Sequence, residues 1–259
     1  MKKLLILLTG SLFTTITLQA QHKQSKFFAE VTGGPSFALG KFGDKNYHGF
    51  IEDDPAGRAK TGLAAQLALG YYINRSVGIL LLSGYSVHKQ NTSGYRDYIK
   101  SSFETAYPGF VMNNVDVHTN SWKLTKLMAG GFFVTPLTES STLALITKIT
   151  AGVCKTAIPG YRYGYAVYFS SMPSSGMTSQ QDIKLPWTFC YQVSVGLKYK
   201  LKENLHVILD INSFNSTPSK EKTFLTSPPT TIGQPAMERK NVKYKIGELN
   251  TLLGIGFDF

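Results

Sequence analysis

The feature that most restricts this chain is a rhythm. Eight stretches alternate apolar and polar residues with a period of two, and the connections between them are alternately short and long. The stretches lie near Lys26–Ala38, Thr61–Ile73, Val77–His88, Ser121–Val134, Thr142–Lys155, Pro186–Lys200, Leu205–Phe214 and Lys243–Phe259. Asn74–Ser76, Thr135–Ser141 and Leu201–Asn204 are the short connections. Leu39–Lys60, Lys89–Asn120, Thr156–Leu185 and Asn215–Val242 are the long ones. Successive side chains on a strand point to opposite faces, so each stretch is a strand with two chemically different sides. An even number of strands joined this way puts both chain ends on the turn side and every long loop on the other. The pattern predicts an all-β, antiparallel, up-and-down arrangement that closes into a barrel, because closure removes both unpaired edges.

The two faces say what surrounds such a barrel. In Pro186–Lys200, one face carries Trp187, Phe189, Tyr191, Val193, Val195, Leu197 and Tyr199, and the other Thr188, Cys190, Gln192, Ser194, Gly196 and Lys198. Leu205, Val207, Leu209 and Ile211 likewise oppose His206, Asp210 and Asn212, and Leu63, Leu67, Leu69 and Tyr71 oppose Gln66 and Gly70. A half-buried strand of a soluble sandwich reads the same way. A soluble lipocalin-like barrel, however, has no reason to gather all its long loops at one end, as a membrane barrel does. The aromatics point the same way. Phe27, Phe28, Tyr71, Tyr72, Phe132, Phe133, Tyr199, Phe257 and Phe259 fall at turn ends, and Tyr85, Trp122, Trp187 and Tyr191 near loop ends, as expected for a girdle at each membrane interface. The expectation is an eight-stranded antiparallel up-and-down transmembrane β-barrel. Two places resist it. Ile79–Leu82 are all apolar, and Lys126 shares a parity with Trp122, Leu124 and Met128. A lysine on the lipid face costs about 2–4 kcal/mol at mid-depth, which suggests a bulge or a shifted boundary there.

The chain starts with Lys2 and Lys3, an apolar run from Leu4 to Leu8 extended by Phe13, Ile16 and Leu18, and a small residue at Ala20. These are the parts of a secretory signal peptide over residues 1–20, which leaves 21–259 as the barrel. No cysteine stands near that junction, so a lipid anchor is not expected. Beyond it no stretch approaches 18 consecutive apolar residues, so no helix is expected to cross a membrane. The formal charge is +11. For an exported chain, anionic lipid head groups or surface glycans are better partners than nucleic acid.

At the other end, Phe259, Phe257, Ile255, Leu253 and Leu249 share one apolar face, with Gly254 just before the two aromatics. Gly254, Phe257 and Phe259 resemble the terminal signal by which outer-membrane barrels are recognised for assembly; Leu252 stands where a polar residue is usual. The segment Gly62-Leu63-Ala64-Ala65-Gln66-Leu67-Ala68-Leu69-Gly70-Tyr71-Tyr72-Ile73-Asn74 leads into Val77–Tyr85. With the Gln-rich residues after position 20, it resembles the outer-membrane β-barrel proteins of Bacteroidetes, grouped with the porin-like and OmpA/OmpX-like barrels. The resemblance implies a cell outer membrane location, outer-membrane lipid as surroundings and the barrel-assembly machinery as a partner in biogenesis. It carries no catalytic residues and no cofactor.

Eight strands enclose room for side chains and not for an aqueous pore. The inward parity holds Glu30, Lys148, Lys198, Asp210 and Glu248, with Gln192, Asn212 and Asn250. Charges of both signs in so narrow a space should pair. Two readings stay open: a salt-bridged plug, or a narrow gated conduit for small solutes. A third is a lipid A-modifying enzyme, since His88 lies beside Ser86 at a loop end and His48 shares a loop with Asp53 and Asp54. None of the five histidines forms a metal motif. Cys154 and Cys190 fall on the inward parity near the loop ends of neighbouring strands, and either bond as a disulfide or fill the lumen as thiols. Tyr161, Tyr163, Tyr165, Tyr168 and Phe169 either continue a hairpin above the barrel or form a stacking surface for a glycan or protein. Pro218, Pro228, Pro229 and Pro235 mark the fourth loop as mobile and exposed. The sequence thus favours a non-enzymatic barrel with a structural or surface-interaction role.

Overall fold

The computed structural model describes residues 26–44, 57–92, 95–109, 111–169, 172–226 and 236–259. His48, Asp53 and Asp54, the leader at 1–20, and Pro228, Pro229 and Pro235 lie outside them.

Eight long strands build the barrel: β1 (Phe27–Leu39), β2 (Gly62–Tyr72), β3 (Val77–Lys89), β5 (Ser121–Pro136), β6 (Leu143–Ile158), β10 (Thr188–Lys202), β11 (Leu205–Ser216) and β14 (Ile246–Asp258). Each pairs antiparallel with its neighbours in the chain, β14 pairs with β1, and β6 pairs with β10, so the sheet closes. The final residue is tied into the seam by Phe259 N–H donating to the Phe27 carbonyl at 2.7 Å. The turns are Ile73–Ser76, Leu137–Thr142 and Glu203–Asn204. In the first, the Asn74 carboxamide accepts from the Ser76 and Val77 amides at 2.9 and 2.8 Å, an Asx turn that fixes the β2–β3 register.

The long connections are not irregular. The second holds helix α1 (Tyr95–Ala106) and β4 (Val111–Thr119); the third holds β7 (Tyr161–Phe169), β8 (Met172–Gln180) and the two-residue β9 (Ile183–Lys184). β4, β7 and β8 form a separate sheet, and β9 adds onto β6. Within the fourth loop, β12 (Ser219–Thr226) pairs antiparallel with β13 (Ala236–Lys243).

Burial alternates along every barrel strand. Outside stand Leu63, Leu67, Leu69, Ile79, Leu81, Leu127, Ile149, Val193, Val195, Leu209, Ile211, Leu253 and Ile255, all exposed. This resolves the ambiguous third strand: Leu80 and Leu82 face in, Ile79 and Leu81 out.

The expected cost at Lys126 disappears for a simple reason. The parity of Trp122, Leu124, Lys126 and Met128 is the lumenal one, and all four are buried. β5 keeps an unbroken register with both neighbours, so neither a bulge nor a shifted boundary is needed. The same finding corrects the girdles. Phe28, Phe132 and Trp122 belong to the lumen, whereas Phe27, Phe133, Tyr199, Phe257, Phe259, Tyr85, Trp187 and Tyr191 are on the outer face.

Candidate functional site

The lumen is closed at the turn end by aromatics. Phe28 packs edge-on against Phe132 at 5.2 Å and tilted against Tyr72 at 5.4 Å, and Tyr72 meets Phe132 edge-on at 5.0 Å. Glycine makes this possible. A methyl at Gly70 would overlap the Phe28 ring, and one at Gly78 the Phe132 ring. Outside this plug lies an open vestibule of about 1050 Å³ lined by Lys26, Tyr72, Arg75, Lys198, Lys200 and Asp258, among others.

Next to the plug runs a chain of ion pairs. Lys198 Nζ donates to the Tyr72 hydroxyl at 3.0 Å and to Asp258 Oδ1 at 2.9 Å. His206 bridges Asp258 Oδ2 at 3.1 Å and Glu30 Oε1 at 3.2 Å. Lys148 Nζ donates to Glu30 Oε2 at 2.8 Å and lies 3.7 Å from Asp210 Oδ2. An imidazole with a carboxylate oxygen at each nitrogen satisfies both only as the doubly protonated cation. In that state three carboxylates face three cations and the chain is neutral.

A second network lies toward the loop end. Glu248 accepts from Lys126 Nζ, from Ser86 Oγ at 2.7 Å and from His88 Nε2 at 2.9 Å. His88 Nε2 is also 3.1 Å from Ser36 Oγ, and its Nδ1 is 2.9 Å from the Lys60 carbonyl. Lys126 Nζ also stands 3.9 Å from the centre of the Phe214 ring, a second stabilising contact for a buried cation. Neutral pairs fill more of the lumen: Gln66 with Gln192 at 3.1 Å, and Asn250 with Asn212 at 2.7 Å.

The described ends of the first loop, residues 39–44 and 57–60, pack beside this network. The two ends pair through Gly57 N–H to the Lys41 carbonyl and Ala59 N–H to the Phe42 carbonyl. That brings the buried Phe42 edge-on to His88 at 5.1 Å and to Trp122 at 5.4 Å. Trp122 Nε1 donates to the Gly57 carbonyl at 2.7 Å, and its ring meets that of Tyr244 edge-on at 6.4 Å. The described lumen therefore carries an aromatic plug at both ends.

Glu30, Lys148, Lys198, Asp210 and Glu248 all lie in the lumen and are all partnered. They form two networks rather than one. Sequence reasoning missed Lys126 and Asp258. Asp258 is ten residues, an even number, beyond Glu248, and Lys126 shares the parity of buried Met128, so both were reachable by counting. Ser86 and His88 do not bond to each other; both reach the same oxygen of Glu248, fully buried. Cys154 and Cys190 are free, buried thiols. They sit diagonally across the β6–β10 pair, Cys190 beside Gly152 and Cys154 beside Thr188, and Cys154 Sγ donates to Ser216 Oγ at 3.1 Å. Phe257 and Phe259 face outward, and Gly254 sits in close contact with the β1 backbone at Val31. Among the described residues no group of three or more His, Cys, Asp and Glu could hold a metal ion.

Above the barrel, α1 lies on the β4–β7–β8 sheet. Tyr95, Ile99, Met112 and Val115 form a small second core, with Phe103, Tyr161, Tyr163 and Tyr165 packed against it. Tyr161 stacks on Tyr163 at 5.9 Å, and Tyr163 meets Tyr165 tilted at 6.2 Å. Tyr161, Tyr163 and Tyr165 lie on β7, which pairs with β8, and are half-buried against this core. Asp182 ties the third loop to the barrel rim, accepting from the Asn120 side chain at 2.8 Å, the Gly160 amide at 2.7 Å and Lys123 at 3.4 Å. Burial works to raise its carboxyl, but the hydrogen bonds from Asn120, Gly160 and Lys123 outweigh it and hold the group below the ordinary aspartate value.

No protein-family model matches the chain, and no curated protein does. Solved structures do resemble it. Neisserial surface protein A aligns over 90% of this chain and 97% of its own at 12% identity, with a TM-score of 0.44. A major outer membrane protein from Thermus thermophilus aligns over 92% and 100% at 11% identity, with a TM-score of 0.44. The attachment invasion locus protein of Yersinia pestis aligns over 92% and 100% at 12% identity, with a TM-score of 0.36.

Proposed function

We propose that this chain is an outer-membrane β-barrel with a non-enzymatic, structural or surface-interaction role, its lumen a salt-bridged plug. The carrying observation is inversion: along every barrel strand the exposed side chains are predominantly apolar, while Lys126, Lys148, Glu30, Asp210 and Glu248 are buried inside. In water that arrangement leaves a broad apolar belt exposed and buries ions. In a bilayer both choices are favourable, with aromatics at the two rims. Residues 1–20 then act as the export leader, and Gly254, Phe257 and Phe259 as the signal read by the assembly machinery. The folded loops present the surface for a glycan or protein partner.

The plug is favoured over the conduit because Phe28, Tyr72 and Phe132 close one end and Phe42, Trp122 and Tyr244 the other, the lysines between them, Lys126 and Lys148, are both paired, and Lys198 on the vestibule side is paired with Asp258. It is favoured over lipid A chemistry because Ser86 and His88 are enclosed and face Glu248. The test is refolding into phosphatidylcholine vesicles. The protein should migrate faster on a gel before boiling than after. In planar bilayers the wild type and Lys198→Glu alike should show no single-channel conductance above background. Absence of heat-modifiable migration would overturn the barrel, and steady channel openings the plug. An altered acyl pattern of lipid A in cells that make the protein would replace the non-enzymatic reading.

A further inference from the structure

One side of the barrel carries a cluster of exposed cations at the loop end of its apolar belt. Lys89, Lys123, Lys155 and Lys184 come from β3, β5, β6 and β9, which are neighbours in that order. The pairing sets their spacing. Val87, Lys123, Ala157 and Lys184 lie in one row across the four strands, and Tyr85, Thr125 and Lys155 in the next row down. Lys89 is two residues above Val87 on the same face. With strands about 4.8 Å apart and diagonal neighbours about 7–8 Å apart, Lys89, Lys155 and Lys184 all lie within roughly 10 Å of Lys123. Lys60 adds a fifth cation, its amide donating to the Lys89 carbonyl at 2.8 Å. Among the described residues the acid paired into this cluster is Asp182, bound to Lys123.

The surroundings are those of an amphiphile and not of a soluble anion. Lys155 Nζ lies 5.9 Å from the Trp187 ring centre, and the exposed Trp187 and Tyr85 flank the lysines. Directly below, the outward Leu81, Leu127 and Val153 are exposed. Head-group charge and acyl chain are thus matched by two adjoining bands of one surface.

We propose that this face, from β3 to β9, is a binding site for a phosphorylated lipid of the outer leaflet, with the lysines on its phosphates and the outer wall of β3, β5 and β6 along its chains. The proposal rests on the membrane reading above. It assigns a role to one side of the barrel that the barrel fold alone does not require. A bound lipid would also hold the β9 segment, and with it the base of the third loop, against the rim.

The test uses the full mature chain refolded into vesicles of phosphatidylcholine, alone or with one added lipid: phosphatidylglycerol, bisphosphorylated lipid A, or lipid A stripped of its phosphates. The readout is the amount of added lipid that stays with the barrel after mild detergent extraction, counted by native mass spectrometry. The wild type should retain the phosphorylated lipids and not the stripped one. Each lysine neutralised near such a surface weakens retention about fivefold, so Lys89→Gln with Lys155→Gln should reduce it more than tenfold. Lys41→Gln with Lys245→Gln, at the loop end of β1 and β14, should leave it unchanged. Equal retention by the two double variants, or retention of dephosphorylated lipid A as strong as that of the intact form, would overturn the site. Both variants must still insert and migrate as heat-modifiable barrels. A wild type that inserts into none of the vesicles would overturn the membrane reading itself, which separates the two failures.

Discussion

Two histidine–carboxylate pairs in this protein have the same length and opposite surroundings. His88 Nε2 and Glu248 Oε1 are 2.9 Å apart, with both side chains 0% exposed. His118 Nε2 and Asp116 Oδ2 are also 2.9 Å apart, on β4 of the loop sheet, with side chains 73% and 66% exposed. At equal distance the attraction scales inversely with the effective dielectric, so geometry alone does not rank them. In the lumen each charge needs its partner, because the alternative is an uncompensated ion away from water. In the loop sheet water replaces the partner at little cost. The comparison separates a region where polar contacts fix the structure from one where they decorate it.

The largest effect should follow from removing Glu248. Glu248→Leu leaves Lys126 buried without a counter-charge and takes away the shared acceptor of Ser86 and His88. The expected loss is about 3–5 kcal/mol in urea unfolding of the refolded barrel. Combining it with Lys126→Met should restore much of that, since a charge-free pair of similar volume removes the stranded ion. A single-variant cost under about 1 kcal/mol would mean that water reaches this network and that the lumen is not sealed.

Removing Glu30 should do less, although it is as buried as Glu248. Glu30→Gln leaves Lys148 with Asp210 at 3.7 Å and His206 with Asp258 at 3.1 Å, and the amide still accepts a hydrogen bond. We expect about 1–3 kcal/mol in the same unfolding experiment. A loss equal to that of Glu248→Leu would show that the two networks are energetically one.

The barrel was legible in the sequence because its signal is periodic. An alternating face needs no knowledge of partners, and the eight strand positions, the turns and five lumenal charges follow from parity alone. The error at Lys126 came from taking an apolar run as lipid-facing. Trp122, Leu124 and Met128 are apolar because they pack in the lumen near the loop end, so apolarity did not tell inside from outside there. The loops were not legible for the opposite reason. Helix α1 is stabilised by packing Tyr95 and Ile99 on residues of two different loops, Met112 and Val115 of the second and the tyrosines of the third. No local window contains that. The aromatic plugs were hidden likewise, since Phe42 reaches Trp122 only because the first loop folds back through Gly57 and Ala59.

Asp182 stands between the two regions of the comparison, partly exposed but held by three donors. Its carboxyl is lowered in the folded protein, so the unfolded chain binds the proton more tightly. The stabilisation it gives is therefore present above the ordinary aspartate value of about 3.9 and lost as pH falls through the lower folded value. The Gly160 amide proton, donated to Asp182 at 2.7 Å, should report this as an NMR titration with its midpoint below about 3.9. Asp182→Asn should abolish the titration and loosen the base of the third loop by about 1 kcal/mol. A midpoint at or above the ordinary value would mean that these hydrogen bonds do not persist in solution.

The smallest effect is expected at a pair as short as the buried His88–Glu248 contact. His118→Ala and Asp116→Asn should each change barrel stability by less than about 0.5 kcal/mol, measured alongside Glu248→Leu. The face they share with Arg162 on β7 is open to solvent, and β4 keeps its pairing with β7 through backbone bonds that neither substitution touches. A loss of more than about 1 kcal/mol would require that this face be covered in the assembled protein, because only a desolvated pair contributes so much. The null result and the large one at Glu248 therefore test a single claim, that burial rather than distance decides what a salt bridge contributes here.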